Sequence, residues 1–138
     1  MTTKQKVLII VVVALGLVAM ACSCDLGNIA GGGGGGTISY GSTVSGNINF
    51  EDEEESWTFN GAAGDMVTIS MTGSGSFDDT YLELYGPDGN EVAYDDDSGD
   101  GLSSLIYDFP LPQSGAYRIV ARAFGSDTGP YTLTLTAR

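Results

Sequence analysis

From Thr37 to Arg138 the chain carries short runs of alternating polarity, separated by glycine, proline, asparagine or aspartate. Successive side chains of a strand point to opposite faces, so this period of two describes strands with one apolar and one wet face. No stretch there keeps the 3.6-residue period of a helix. Met66–Thr72 sets Val67, Ile69 and Met71 against Thr68 and Ser70. Ala116–Arg122 sets Tyr117, Ile119 and Ala121 against Arg118, Val120 and Arg122. Ser103–Phe109 reads with Leu105, Tyr107 and Phe109 on one side, and Tyr131, Leu133 and Leu135 alternate with threonines. Eight to nine short strands at this spacing predict an all-β fold, an antiparallel β-sandwich of two sheets on one core. The expected core is Trp57, Phe59, Val67, Ile69, Leu82, Leu84, Leu105, Phe109, Tyr117, Ile119, Leu133 and Leu135. About 100 residues can bury such a core without disulfides.

One local unit stands out, Asp78–Gly101. Thr80–Tyr85 and Glu91–Tyr94 flank Gly86-Pro87-Asp88-Gly89-Asn90, a hairpin signal. Leu82 and Leu84 share one face of the first strand; Tyr81, Glu83 and Tyr85 share the other. Folding back should bring Asp78 and Asp79 toward Asp95, Asp96 and Asp97. Asp96, Ser98 and Asp100, followed by Gly101, repeat the oxygen spacing of the first half of an EF-hand loop. Position twelve is Tyr107 rather than glutamate, and no flanking helices are predicted, so this is not an EF-hand. An acid from across the hairpin would have to complete any cation site. The alternative is a solvated loop, since aspartate and serine favour turns.

The chain before Thr37 reads differently. Lys4 and Lys6 precede an unbroken apolar run from Val7 to Ala21, the pattern of an export signal. Val18-Ala19-Met20-Ala21-Cys22 resembles the lipobox of bacterial lipoproteins, in which the cysteine is lipidated and becomes the new N-terminus. The expected division is a signal peptide over 1–21, a tether over 22–36 containing six consecutive glycines, and a folded domain over 37–138. Cys24 is a second candidate for lipidation, and an uncleaved anchor helix over Val7–Cys24 is the alternative. Either places the domain outside the cytoplasm, because lysines before the apolar run favour the inner side. As a flexible coil the tether reaches about 20 Å.

Composition excludes several chemistries. The chain has no histidine, and its only cysteines are Cys22 and Cys24, so imidazole-based triads, thiolate zinc sites in the domain and a disulfide framework are ruled out. Beyond residue 36 there is no lysine to activate a serine. Acids number 18 against 5 bases, a formal net charge of −13, which repels nucleic acid and anionic lipid headgroups.

Gly41–Gly46, Trp57–Phe59, Ala63–Ser70, Asp79–Leu84, Pro87–Gly89, Asp95–Asp97, Leu111–Tyr117 and Gly129–Leu133 occur in the order found in bacterial pre-peptidase C-terminal domains. The resemblance spans almost all of Thr37–Arg138. It implies a jelly-roll-like β-sandwich without catalytic activity, of the kind that trails secreted proteases. It also implies calcium, because some relatives, such as the collagen-binding domains of clostridial collagenases, bind calcium and matrix. Asp79, Asp96 and Asp97 fall at the family's recurrent acidic positions; with Asp100 they form the candidate calcium site. Glu53 and Glu55, in the acidic run Glu51–Glu55, are weaker candidates on the same ground. Trp57 stands where the family more often has tyrosine, and no peptidase precedes the domain, so the role beside a protease does not carry over.

The expected function is a non-catalytic, lipid-anchored binding module of the cell envelope, calcium its one expected cofactor. Its expected partners are the membrane, through Cys22, and an extracellular protein, peptide or polysaccharide, with Tyr81, Tyr85 and Tyr94 available for contact. The alternatives are a self-assembling surface component and, less favoured, a small hydrolase using paired carboxylates.

Overall fold

A computed structural model describes residues 34–138. The expected signal peptide, Cys22 and Cys24 lie outside the described residues. Nine strands follow in order: β1 (Gly35–Thr37), β2 (Ser42–Ile48), β3 (Glu54–Gly61), β4 (Met66–Gly73), β5 (Thr80–Tyr85), β6 (Glu91–Asp95), β7 (Ser104–Pro110), β8 (Gly115–Ala123) and β9 (Gly129–Ala137). They form a five-stranded sheet, β1-β3-β8-β5-β6, and a four-stranded sheet, β2-β9-β4-β7. The β-sandwich is as expected. One pairing departs from the antiparallel rule: β1 runs parallel to β3, Gly35 opposite Ser56 and Thr37 opposite Thr58.

That pairing moves the start of the folded unit upstream of the expected boundary at Thr37. Gly35 and Gly36 belong to the sheet, and the Ser56 amide donates to the Gly34 carbonyl at 3.3 Å. The expectation that all six glycines serve only as a spacer is corrected here. A Cβ on Gly35 would lie 2.1 Å from the Ser56 carbonyl oxygen, and its φ of +132° disfavours any other residue.

Ten of the twelve expected core positions are buried, among them Val67, Ile69, Leu82, Leu84, Ile119, Leu133 and Leu135 with essentially no exposure. Burying one such aliphatic side chain stabilises the fold by roughly 1.5–3 kcal/mol. β7 is where the expectation fails. Its partner register jumps from Val67↔Phe109 to Ile69↔Ile106, an irregularity that leaves Tyr107 and Asp108 unpaired with β4. Asp108 takes a φ of +49°, and Tyr107 turns outward. A bulge shifts the period-two phase, so Ile106 rather than Leu105 is buried, and Phe109 only packs against the core's margin.

Consecutive strands from β1 to β9 alternate in direction, which sorts the connections into two ends. Residues 49–53, 74–79, 96–103 and 124–128 lie at one end, and they hold nine acids. Residues 38–41, 62–65, 86–90 and 111–114 lie at the other, whose acids are Asp65 and Asp88. The negative charge is thus polarised along the strands.

Candidate functional site

The hairpin forms as expected, Leu82 opposite Asp95 and Leu84 opposite Ala93. Asp79 sits just before β5, where its carbonyl accepts the Phe124 amide at 3.1 Å. Its Oδ1 is buried and has no hydrogen-bond partner among the described residues. Burial raises the Asp79 carboxyl above the ordinary carboxylate range, and Asp97, Asp127, Asp78 and Asp96 add to the shift in that order. The fold therefore brings Asp79, Asp96 and Asp97 into one neighbourhood. It adds Asp127, from the loop after β8, which sequence spacing had no means of placing there. Asp100 faces elsewhere, lining a hydroxyl-rich hollow with Ser70, Thr72, Ser98 and Ser103 beside β4 and β7.

Calcium needs six to eight oxygens close together. Among the described residues no group of three or more acids is arranged to hold a metal ion. Asp79, Asp96, Asp97 and Asp100 are neighbours in part, not a formed cage. The orphaned Asp79 Oδ1 is the one feature of the set that fits a cation.

The acid that organises the loop is Asp95. Its Oδ2 accepts the Ser98 amide at 3.0 Å and the Leu105 amide at 2.7 Å, closing the loop onto the start of β7. Asp96 Oδ1 accepts the Asp97 amide at 3.0 Å. Such side-chain-to-backbone bonds are what aspartate offers in turns.

Glu53 and Glu55 are not part of a solvated acidic run. They are 4% and 5% exposed. Glu53 accepts from the Asn49 backbone and side-chain amides. Glu55 Oε2 accepts from the Tyr131 hydroxyl, which itself accepts from Trp57 Nε1 at 2.8 Å. Burial, then the bond to Glu55, holds the Tyr131 hydroxyl protonated well above its usual range. Trp57 thus has a polar role inside the core, and the two glutamates spend their oxygens on it and on the loop. Gly46 leaves the room: a Cβ there would lie 2.0 Å from Glu55 Oε2.

The outer face of the five-stranded sheet carries a second layer of side chains. The Arg122 guanidinium lies 4.0 Å from the Tyr81 ring centroid, and Arg118 lies 4.1 Å from that of Tyr85. Arg122 also pairs with Glu83 at 3.5 Å. Under these long side chains Val120, which points away from the core, is only 1% exposed. Beside them runs an aromatic row. Tyr81 lies 6.1 Å from Tyr94 and 6.1 Å from Phe124, ring planes within 13° and 23° of parallel. Tyr94 is 62% exposed and Phe124 51%. Alternation places Tyr81 and Tyr85 on this face; pairing opposite Glu83 brings Tyr94 to it, and Phe124 follows β8, its amide bonded to the Asp79 carbonyl beside Tyr81.

Comparison with known proteins agrees with this architecture. The model of the bacterial pre-peptidase C-terminal domain family matches residues 53–123, just over half of the chain. No match is found among curated protein sequences. Among solved structures, the chain is similar to the pre-peptidase C-terminal domain of collagenase from Bacillus anthracis, with 19% identity and a TM-score of 0.63 over 78% of this chain and 99% of that one. It is also similar to PliG of Aeromonas hydrophila, a periplasmic lysozyme inhibitor of g-type lysozyme, with 14% identity and a TM-score of 0.57 over 76% of this chain and 98% of that one. At these identities both are likenesses of fold.

Proposed function

The chain belongs to the bacterial pre-peptidase C-terminal domain family, and from that membership we propose that it is a non-catalytic binding module held outside the cytoplasm. The observation that carries this reading is the aromatic row Tyr94–Tyr81–Phe124: two of its rings stand in water although the core beneath is complete without them. The likeness to PliG supports it, because there a sandwich of this kind makes up nearly the whole of a protein that inhibits another. Catalysis has no support in the side chains. The two most buried carboxylates, Glu53 and Glu55, are bonded to Asn49 and Tyr131 rather than turned to a cleft. The proposed ligand is a protein, peptide or polysaccharide of the envelope. Retention of the chain on immobilised envelope proteins, polysaccharides or collagen-like peptides is the expected result. Failure on all of them, with and without calcium, would remove the reading.

Lipidation of Cys22 is proposed as the means of tethering, supported by the basic start, the apolar run and the small residues before the cysteine. Labelling with a fatty acid that disappears in Cys22→Ala, and persists in Cys24→Ala, is the expected outcome.

Calcium enters the proposal at one place, Asp79. A divalent cation would supply the partner its Oδ1 lacks and offset the repulsion from Asp97, Asp127, Asp78 and Asp96. Excess calcium should then raise the melting midpoint by mass action, and the rise should vanish in Asp79→Ala. An unchanged midpoint in the wild type takes calcium out of the reading.

A further inference from the structure

The aromatic row ends at the acidic end of the sandwich, and the two features meet at one corner. We propose that this corner docks a basic protein, with Phe124 and Tyr94 as apolar contacts and Asp78, Asp97 and Asp127 as the charged border. The proposal rests on the binding-module reading and names the partner's chemistry.

Three observations carry it. The first is a prepared apolar surface. Tyr81, between the two exposed rings, is pinned by Arg122, and Arg122 is held by Glu83. Binding there loses little side-chain freedom at the centre of the row. At the neighbouring loop the Leu102 carbonyl accepts the Thr80 amide at 3.1 Å. With the Phe124–Asp79 bond, loops 74–79, 96–103 and 124–128 are knitted into one surface by their backbones.

The second is charge. The four connections at this end hold no arginine or lysine. The two ion pairs among the described residues, Arg122–Glu83 and Arg138–Asp108, involve none of their acids. Uncompensated aspartates around exposed rings complement a lysine- or arginine-rich surface, and they repel nucleic acid, anionic polysaccharide and a second copy of this chain alike. The third is Asp79: its Oδ1 is buried without a donor among the described residues, so its charge is uncompensated and adds to that of Asp97, Asp127 and Asp78, which a basic surface docked over them offsets. A neutral polysaccharide could stack on the rings but would have no use for the aspartates, which is how the test separates it.

The experiment measures binding of the full chain to chicken lysozyme and to cytochrome c as basic probes, and to a neutral β-glucan, in chelator and in excess calcium. The variants are Tyr94→Ala/Phe124→Ala, Asp78→Asn/Asp97→Asn/Asp127→Asn and, at the opposite end, Asp65→Asn/Asp88→Asn. A melting curve for each confirms folding. Expected are binding to at least one basic probe that weakens with salt, and a loss of about tenfold or more in each of the first two variants. The third should bind as the wild type does. Weaker binding in excess calcium agrees with the proposal, because the ion neutralises the same aspartates. Binding that all three variants retain or lose equally, binding only in calcium, or binding to the glucan alone overturns it. A partner retained in the wider screen by both corner variants leaves the module reading standing without this site; no retention of anything removes both.

Discussion

Asp79 shows how one residue is read differently by sequence and by structure. By sequence it is an acid at a hairpin's end; in the fold it is a carboxylate with one buried, unpartnered oxygen among four others. Its raised pKa means that the folded chain binds the proton more tightly than the unfolded one. Protonation therefore favours folding: this contribution is fully present below the ordinary carboxylate pKa and is lost as pH rises through the raised value. In chelator, Asp79→Asn should accordingly be more stable than the wild type at pH 7, with the advantage fading as pH falls through the carboxylate range. Denaturant midpoints across pH measure this, and an advantage independent of pH would show that ionisation of the buried carboxyl is not its source. The Glu55–Tyr131–Trp57 chain was illegible for a related reason. Five successive acids, Glu51–Glu55, look like a solvated run. Two of them are buried because β3 begins at Glu54, turning Glu55 inward, and because Asn49 folds back over Glu53.

Among the elements, β1 departs most from its sequence. Six identical glycines carry no pattern, so nothing in them distinguishes spacer from strand. Pairing with β3 makes them unequal. Gly35→Ala places a Cβ 2.1 Å from the Ser56 carbonyl oxygen at a φ of +132°, whereas at Gly36 the nearest atom to a Cβ is on Trp57 at 3.5 Å, an ordinary contact. Gly35→Ala should cost about 1–3 kcal/mol and speed hydrogen exchange at the Ser56 and Ile38 amides, which bond to the Gly34 and Thr58 carbonyls. Gly36→Ala should leave both nearly unchanged; equal effects would mean that β1 is held only loosely. The hairpin was legible as a pairing, since alternation and the Asp88-Gly89 turn both point to β5 against β6, but not the register shift between Leu84 and Tyr85 beside the turn. β7 was not, because a bulge reverses inside and outside within one strand and alternation presumes that this does not happen.

For the whole molecule the decisive quantity is where its charge lies. A formal −13 could be spread evenly; instead nine acids gather in four loops at one end. Like charges there oppose one another through solvent, and salt screens them over about 8 Å at physiological strength. Raising ionic strength from about 10 mM to 150 mM should thus raise the melting midpoint by a few degrees, more than in the Asp78→Asn/Asp97→Asn/Asp127→Asn variant. A midpoint insensitive to salt in the wild type would mean that the acids are too solvated to matter. The same repulsion weighs against self-assembly through this end.

The sequence alone determined the class of this protein. Period-two alternation sets strands and faces, because a side chain's side follows from its parity along the strand, and the absence of histidine from the chain and of lysine beyond residue 36 removes whole chemistries. What parity cannot convey is which strands adjoin. Only the tertiary structure decided that β8 lies between β3 and β5, and with it that Arg122 covers Tyr81, that Phe124 completes the aromatic row and that Asp127 joins Asp79. Those contacts join residues far apart in the chain, and their positions follow from sheet order rather than from any local spacing.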